Sequence, residues 1–190
     1  MISLGIIEWT AVIANVAYVI LAWYQKKLCW VLGGIGSAIS VYYFLHEDIR
    51  LYAEAGLYLF YVFVAIYGWW VWGRPDSRTI SELSSSMHLR LILGSFVGAY
   101  ALFYVTSSFT DAARPLADSI STVFGVLATF MTIRKVLSSW IYWILIDIFS
   151  IWLYLNRDSE IYALQMLIFA ILAIFGYLQW RREFQRTQNA

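Results

Sequence analysis

The chain has 190 residues, 62% of them hydrophobic and only 13% charged, with a formal net charge of +1. Soluble domains run at about 45–50% apolar and about 25% charged. The composition therefore excludes a water-soluble globular domain, and the net charge says nothing about nucleic acid, which is not among the expected partners. At about 20 residues per span the length suits six to eight transmembrane helices.

Seven apolar stretches follow in order, at roughly 6–23, 28–45, 51–72, 88–106, 116–133, 137–155 and 160–180. The first carries Glu8 near its start and Asn15 midway, and ends in Tyr24-Gln25-Lys26-Lys27. No basic residue precedes Lys26, so this stretch is expected to remain as a span rather than act as a cleaved signal. The second stretch has a small face of Gly33, Gly34, Gly36, Ser37 and Ser40, suited to close helix packing. Its single cysteine, Cys29, excludes an internal disulfide or a cysteine-rich metal centre. On the third, Glu54, Tyr58, Tyr61, Ala65, Trp69 and Trp72 share one helical face. Next comes Gly73 to Met87, which alone has the composition of a true loop. His46 and His88, at helix ends, are expected to be solvated.

If seven helices alternate, one side receives Lys26, Lys27, Arg74, Arg78, Arg90, Arg134, Lys135, Arg181, Arg182 and Arg186. The other receives Arg50, Arg114 and Arg157. The positive-inside rule then puts the N-terminus outside and the C-terminus in the cytoplasm. Trp23, Trp30, Trp69, Trp70, Trp72, Trp140 and Trp180 lie near the inner ends and are expected to anchor the helices at the interface.

The chain resembles itself at a shift of about 110 residues. Trp30 falls on Trp140, Ser40 on Ser150, and Tyr52-Ala53 on Tyr162-Ala163. After a slip of two, Ile66-Tyr67-Gly68-Trp69…Trp72 falls on Ile174-Phe175-Gly176-Tyr177…Trp180. This predicts an all-α membrane protein with seven transmembrane helices in a 3+1+3 parallel repeat, the SWEET-like arrangement, with a substrate site at the repeat interface. The boundaries are 1–72 for the first three-helix unit, 73–110 for linker and connecting helix, 111–182 for the second unit, and 183–190 for a tail.

Ionisable groups at membrane depth are functional candidates by default. Asp147 lies about ten residues into the sixth stretch, and no Lys or Arg falls at its depth. It must be neutral, hydrated in a cavity, or paired with a cationic ligand. Trp140, Trp143, Asp147, Ser150 and Tyr154 share its helical face. Aromatic rings with a carboxylate suit a flat, positively charged molecule. The plain alternative is a protonated Asp bonded to a neighbouring helix. Ser37 is the counterpart of Asp147 in the first unit. Asn15 and Gln165 fit interhelical hydrogen bonds. No phosphate loop, metal motif or nucleophile triad is visible, so an enzyme is disfavoured and no cofactor is expected.

Ile66-Tyr67-Gly68-Trp69-Trp70-Val71-Trp72, Arg134-Lys135 followed by Ser139-Trp140-Ile141-Tyr142-Trp143-Ile144, and Gly176-Tyr177…Trp180 together resemble the signatures of PnuC-type vitamin transporters. The resemblance runs from about Glu8 to Trp180. It implies a homotrimer in a bacterial inner membrane and facilitated diffusion of an unphosphorylated vitamin, trapped afterwards by cytoplasmic phosphorylation. It implies nicotinamide riboside as the first substrate and thiamine as the second, with riboflavin carried by some relatives. Trp143 matches the family's helix-6 Trp. Asp147 stands where an Asn is usual, Tyr58 where a Gln is usual, and Ala65 where an Asn is usual. The expected binding residues are Trp143, Asp147, Trp140, Ser150, Tyr58, Tyr61, Asn15 and Trp69. A membrane receptor or scaffold without transport is the reading from a different class, and a carrier protonated at Asp147 is a third.

Overall fold

The computed structural model describes residues 4–46, 52–75, 79–109, 114–156 and 160–189. Among them the chain forms seven helices: α1 (Leu4–Trp23), α2 (Leu28–Leu45), α3 (Tyr52–Trp72), α4 (Ser85–Phe109), α5 (Pro115–Ile133), α6 (Ser139–Leu155) and α7 (Glu160–Gln188). Helices are the natural outcome for such sequences. In lipid no water satisfies backbone groups, so each span must close its own hydrogen bonds. Five helices (α2, α3, α4, α5 and α7) are long and apolar enough to cross a membrane. The apolar stretches Val12–Trp23 in α1 and Ser139–Leu155 in α6 are shorter. The side chains of Glu8 and Glu54 lie outside the described residues.

The chain divides into two compact units, Met1–Arg78 and Thr79–Ala190. In unit 1, α2 packs against both α1 and α3. In unit 2, α6 packs against α5 and α7, and α4 packs on α5. Pro115 opens α5 at a position where its missing N–H is harmless. Arg114 then donates from Nη2 to the Asn156 carbonyl at 3.3 Å, tying the start of α5 to the end of α6.

Each unit contains the same two local devices. The first is a turn between two helices, α1–α2 in unit 1 and α5–α6 in unit 2. Gln25 and Lys135 are the non-glycine residues with left-handed backbone among the described residues, at φ 52° and 51°. Around Gln25, the amide of Gln25 bonds Ala22 O and that of Lys26 bonds Leu21 O, each at 3.0 Å. Around Lys135, Lys135 bonds Thr132 O at 3.0 Å and Val136 bonds Met131 O at 2.9 Å. Both are Schellman-type helix ends, which satisfy carbonyls the terminating helix leaves unpaired.

The second device is a tryptophan latch. Trp30 meets Trp72 edge-on, centroids 5.4 Å apart at 90°, and Trp140 meets Trp180 at the same 5.4 Å and 90°. In each case the first ring lies on a glycine of the unit's last helix, Gly68 of α3 under Trp30 and Gly176 of α7 under Trp140. A β-carbon on Gly68 would overlap the Trp30 ring, and one on Gly176 would come within 2.6 Å of Trp140. Trp30, Trp72, Trp140 and Trp180 are 3%, 7%, 3% and 0% exposed. These four therefore do not anchor helices at the interface as the sequence suggests. They need close packing with one another and a glycine, which draws them inside. Trp69 and Trp70, 37% and 54% exposed, remain outside.

The loop-like segment after Gly73 is pinned at its far end. Ser81 pairs with Val136 as an isolated bridge: Ser81 N–H bonds Lys135 O at 3.0 Å, and Leu137 N–H bonds Ser81 O at 2.8 Å. The segment leading into α4 is thus stitched to the α5–α6 turn.

Candidate functional site

The face of α6 that carries Trp140, Trp143, Asp147 and Ser150 is set by steps of three and four residues. Asp147 is the ninth residue of the 17 in α6. It therefore sits about 12 Å from either end. The antiparallel register fixes what lies across from it. On α5, Thr132 bonds Trp143 at one end and Arg114 bonds Asn156 at the other. That brings Gly125, Ala128 and Thr129 to the depth of Asp147. On α7, the contact of Gly176 with Trp140 brings Ala170 and Ala173 to that depth. Ala128, Thr129, Ala170 and Ala173 are all buried, at 0%, 5%, 5% and 2% exposed. Unit 2 thus places buried small residues near the depth of its mid-helix carboxylate, and among the described residues no Lys or Arg of α5, α6 or α7 falls at that level.

Asp147 is 6% exposed, and among the described residues it has no hydrogen-bond or ion-pair partner. The neighbouring-helix bond of the plain alternative is not formed among the described residues. A carboxylate at membrane depth without a partner costs several kcal/mol if it stays charged. A cation arriving beside it relieves that cost.

Trp143, one turn before Asp147, is held by a relay. Its indole Nε1–H donates to Thr132 Oγ1 at 3.2 Å, and that hydroxyl donates to Ala128 O at 2.9 Å. The relay fixes the plane of a half-buried ring. Ser150 is buried at 7% exposure, one turn beyond Asp147. Trp140 is on the same face but is enclosed by the latch with Gly176 and Trp180.

The remaining four candidates lie in unit 1. Asn15 is half-buried midway along α1. Tyr58 stacks on Phe44 with centroids 5.3 Å apart and meets Tyr61 edge-on at 6.3 Å. Trp69 receives the Lys27 ammonium over its ring at 4.3 Å. Ala65 is buried at 6% exposure, and its β-carbon would be 3.3 Å from one placed on Gly34. It gives close helix contact and no polar group.

Sequence reasoning missed a second polar cluster in unit 2. His88 is not a solvated helix-end residue. Its Nδ1 lies 3.1 Å from Tyr142 Oη, and its Nε2 lies 3.3 Å from both Glu82 Oε1 and Ser138 Oγ. The group stands at one end of a cleft of about 550 Å³ that runs along Ile92, Phe96, Phe124, Leu145 and Phe149. Residues 142, 145, 146 and 149 of α6 line that cleft, nearly opposite the face of Asp147. Cleft and carboxylate are therefore separate features.

Residues 5–182 match the family model described as nicotinamide mononucleotide transporter. The chain belongs to that family. It is 23% identical over 207 residues to the nicotinamide riboside transporter PnuC of Escherichia coli K12, covering 94% of this chain and 86% of the relative. It is 22% identical over 197 residues to the Neisseria mucosa protein of the same name, covering 94% and 74%. The solved structure of the vitamin B3 transporter PnuC aligns with a TM-score of 0.76 at 19% identity, over 95% of this chain and 82% of that one. The PnuC-type resemblance seen in the helix-3, helix-6 and helix-7 motifs is therefore that of a true family member, and the likeness to the solved structure establishes the fold.

Proposed function

We propose that the chain takes up nicotinamide riboside across a bacterial inner membrane by facilitated diffusion. The carrying observation is Asp147, an unpartnered carboxylate at mid-helix with a fixed tryptophan one turn away, in a family whose named relatives transport that molecule. Nicotinamide riboside bears a fixed positive charge on a flat ring. Trp143 stacks on the ring, and Asp147 offsets its charge. A phosphate would add about −1.5 to −2 charges. With no cation at the depth of Asp147 in unit 2, the riboside is favoured over the mononucleotide for which the family is named. Ser150 offers the ligand a hydroxyl, and Asn15, Tyr58 and Tyr61 are the polar groups unit 1 can offer. Trp140 and Trp69 serve packing and the membrane surface instead.

We further infer seven membrane spans in a 3+1+3 plan, α1–α3 and α5–α7 with α4 between. The matched turns and tryptophan latches support this reading. The distribution of basic residues supports an N-terminus outside. A homotrimer and trapping by cytoplasmic phosphorylation follow the resemblance to relatives.

Thiamine is the second reading. Ala65 packs on Gly34 and Tyr58 on Phe44, so neither supplies an amide for a ribose or carboxamide. Uptake into sealed proteoliposomes, compared for the two vitamins with and without a pH gradient, tests these readings. Saturable, gradient-independent entry of nicotinamide riboside is expected. Faster entry of thiamine selects the second reading, gradient dependence selects a proton-coupled carrier, and no entry of either leaves a receptor or scaffold.

A further inference from the structure

Unit 1 has a groove of about 350 Å³ between α2 and α3, lined among others by Val31, Gly34, Ile35, Ala38, Ile66 and Trp69. Its floor is set by the close approach of Gly34 and Ala65, and its walls are exposed, with Ile35 at 48% and Ile66 at 62%. From Val62 to Trp69 on α3 it runs about 10 Å along the helix, against about 15 Å of hydrocarbon in one leaflet. An apolar groove is not by itself selective. What distinguishes this one is its mouth.

Trp69 lines the groove, and Lys27 Nζ lies 4.3 Å from the centroid of that ring. The ring therefore holds an ammonium at the groove entrance. Lys26 beside it is exposed. Lys27 is also the residue at the start of α2, where the helix dipole adds positive potential. Arg74 lies over the exposed Trp70 ring at 3.6 Å at the end of the same α3. Among the described side chains of unit 1 there are these three cations and no carboxylate. In unit 2 the positions equivalent to Lys27 and Trp69 are Leu137 and Tyr177, and the cations of that turn are Arg134 and the buried Lys135.

We propose that unit 1 binds an anionic phospholipid, with its phosphate at Lys26 and Lys27 and one acyl chain in the α2–α3 groove. A zwitterionic lipid brings its own cation against the lysines and loses the advantage. The site is independent of which vitamin is carried.

The test is lipid binding to the purified full chain, measured by native mass spectrometry with dioleoylphosphatidylglycerol and dioleoylphosphatidylcholine. Phosphatidylglycerol is expected to bind at least tenfold tighter. Replacing Lys26→Gln together with Lys27→Gln, both exposed, should bring the two lipids within twofold while the melting temperature holds. Ala38→Trp, which fills the exposed groove, should weaken both lipids more than fivefold. Glycerol phosphate, a headgroup without chains, should not compete. Equal affinity for the two lipids in the unaltered chain overturns the proposal, as does a preference that survives the double substitution. Displacement by glycerol phosphate would reduce the site to a surface anion patch and overturn the groove.

Discussion

Units 1 and 2 share two local devices and differ at most other positions, among them those proposed to hold the ligand. The left-handed turns, the edge-on tryptophans and the glycines beneath them match between the units. Burial matches as well: Cys29 and Ser139 are both 0% exposed, and Ser40 and Ser150 are 6% and 7%. Against that constancy, Ala22 in unit 1 becomes Thr132 in unit 2, Gly33 becomes Trp143, and Ser37 becomes Asp147. The first two substitutions together create the hydrogen-bonded Trp143, and the third adds the carboxylate. In the other direction, Lys27 becomes Leu137, and the cations of unit 2's turn are Arg134 and Lys135 instead. Unit 2 also has its turn clamped by Ser81. On the proposed reading the shared residues carry the fold and the unshared ones the ligand chemistry, so the two can be broken separately.

The largest effect is expected from breaking what is shared. Gly176→Ala forces a β-carbon to 2.6 Å from the Trp140 ring. The ring is fully enclosed and cannot move aside, so overpacking should cost about 2–3 kcal/mol. Gly68→Ala should cost as much in unit 1. Gly94→Ala on α4 meets nothing within 4 Å and is the control. It should be neutral or stabilise by up to about 1 kcal/mol through helix propensity. Melting temperatures of the three variants in one detergent check this. Equal behaviour of Gly176→Ala and Gly94→Ala would discard the latch.

Breaking what differs should spare the fold. Asp147→Ser gives unit 2 the residue that unit 1 has at Ser37. Affinity for cationic vitamins should fall by over tenfold, about 1.4 kcal/mol, with the melting temperature unchanged or raised, since an unpartnered buried carboxylate has been removed. Ser37→Asp added to this variant should not restore binding, because no tryptophan stands at Gly33. Titration calorimetry with nicotinamide riboside reads both. Undiminished affinity in Asp147→Ser would remove the carboxylate from the site.

How far the sequence discloses this division depends on the range of the contacts. Apolar runs reveal every helix, because in lipid a run of that length has no other fold. Trp30 over Trp140 and Gly68 over Gly176 are readable as spacing, and Asp147 is conspicuous because ionisable residues are rare at that depth. The buried state of the tryptophans is not readable, since their position near helix ends suits an interfacial anchor equally well. The left-handed turns use Gln25 and Lys135 rather than glycine, so no residue type announces them. The His88 cluster joins groups 50 and 54 residues apart, and nothing local in the chain marks them as partners.

The smallest effect tests whether the tryptophan is merely present or held in place. Thr132→Val keeps the side-chain shape and removes the acceptor of the Trp143 indole. At the same position unit 1 has Ala22, which is 1% exposed, so an apolar side chain is compatible with this turn. The expected stability change is about 1 kcal/mol, the net value of one hydrogen bond. Affinity for a flat cation should fall by a few-fold, because the ring must now be ordered by the ligand itself. Trp143→Phe should lose more, since it removes ring area as well as the anchor. If Thr132→Val binds as tightly as the unaltered chain while Trp143→Phe does not, the ring matters and its fixation does not. The difference between the units then reduces to Trp143 and Asp147 alone.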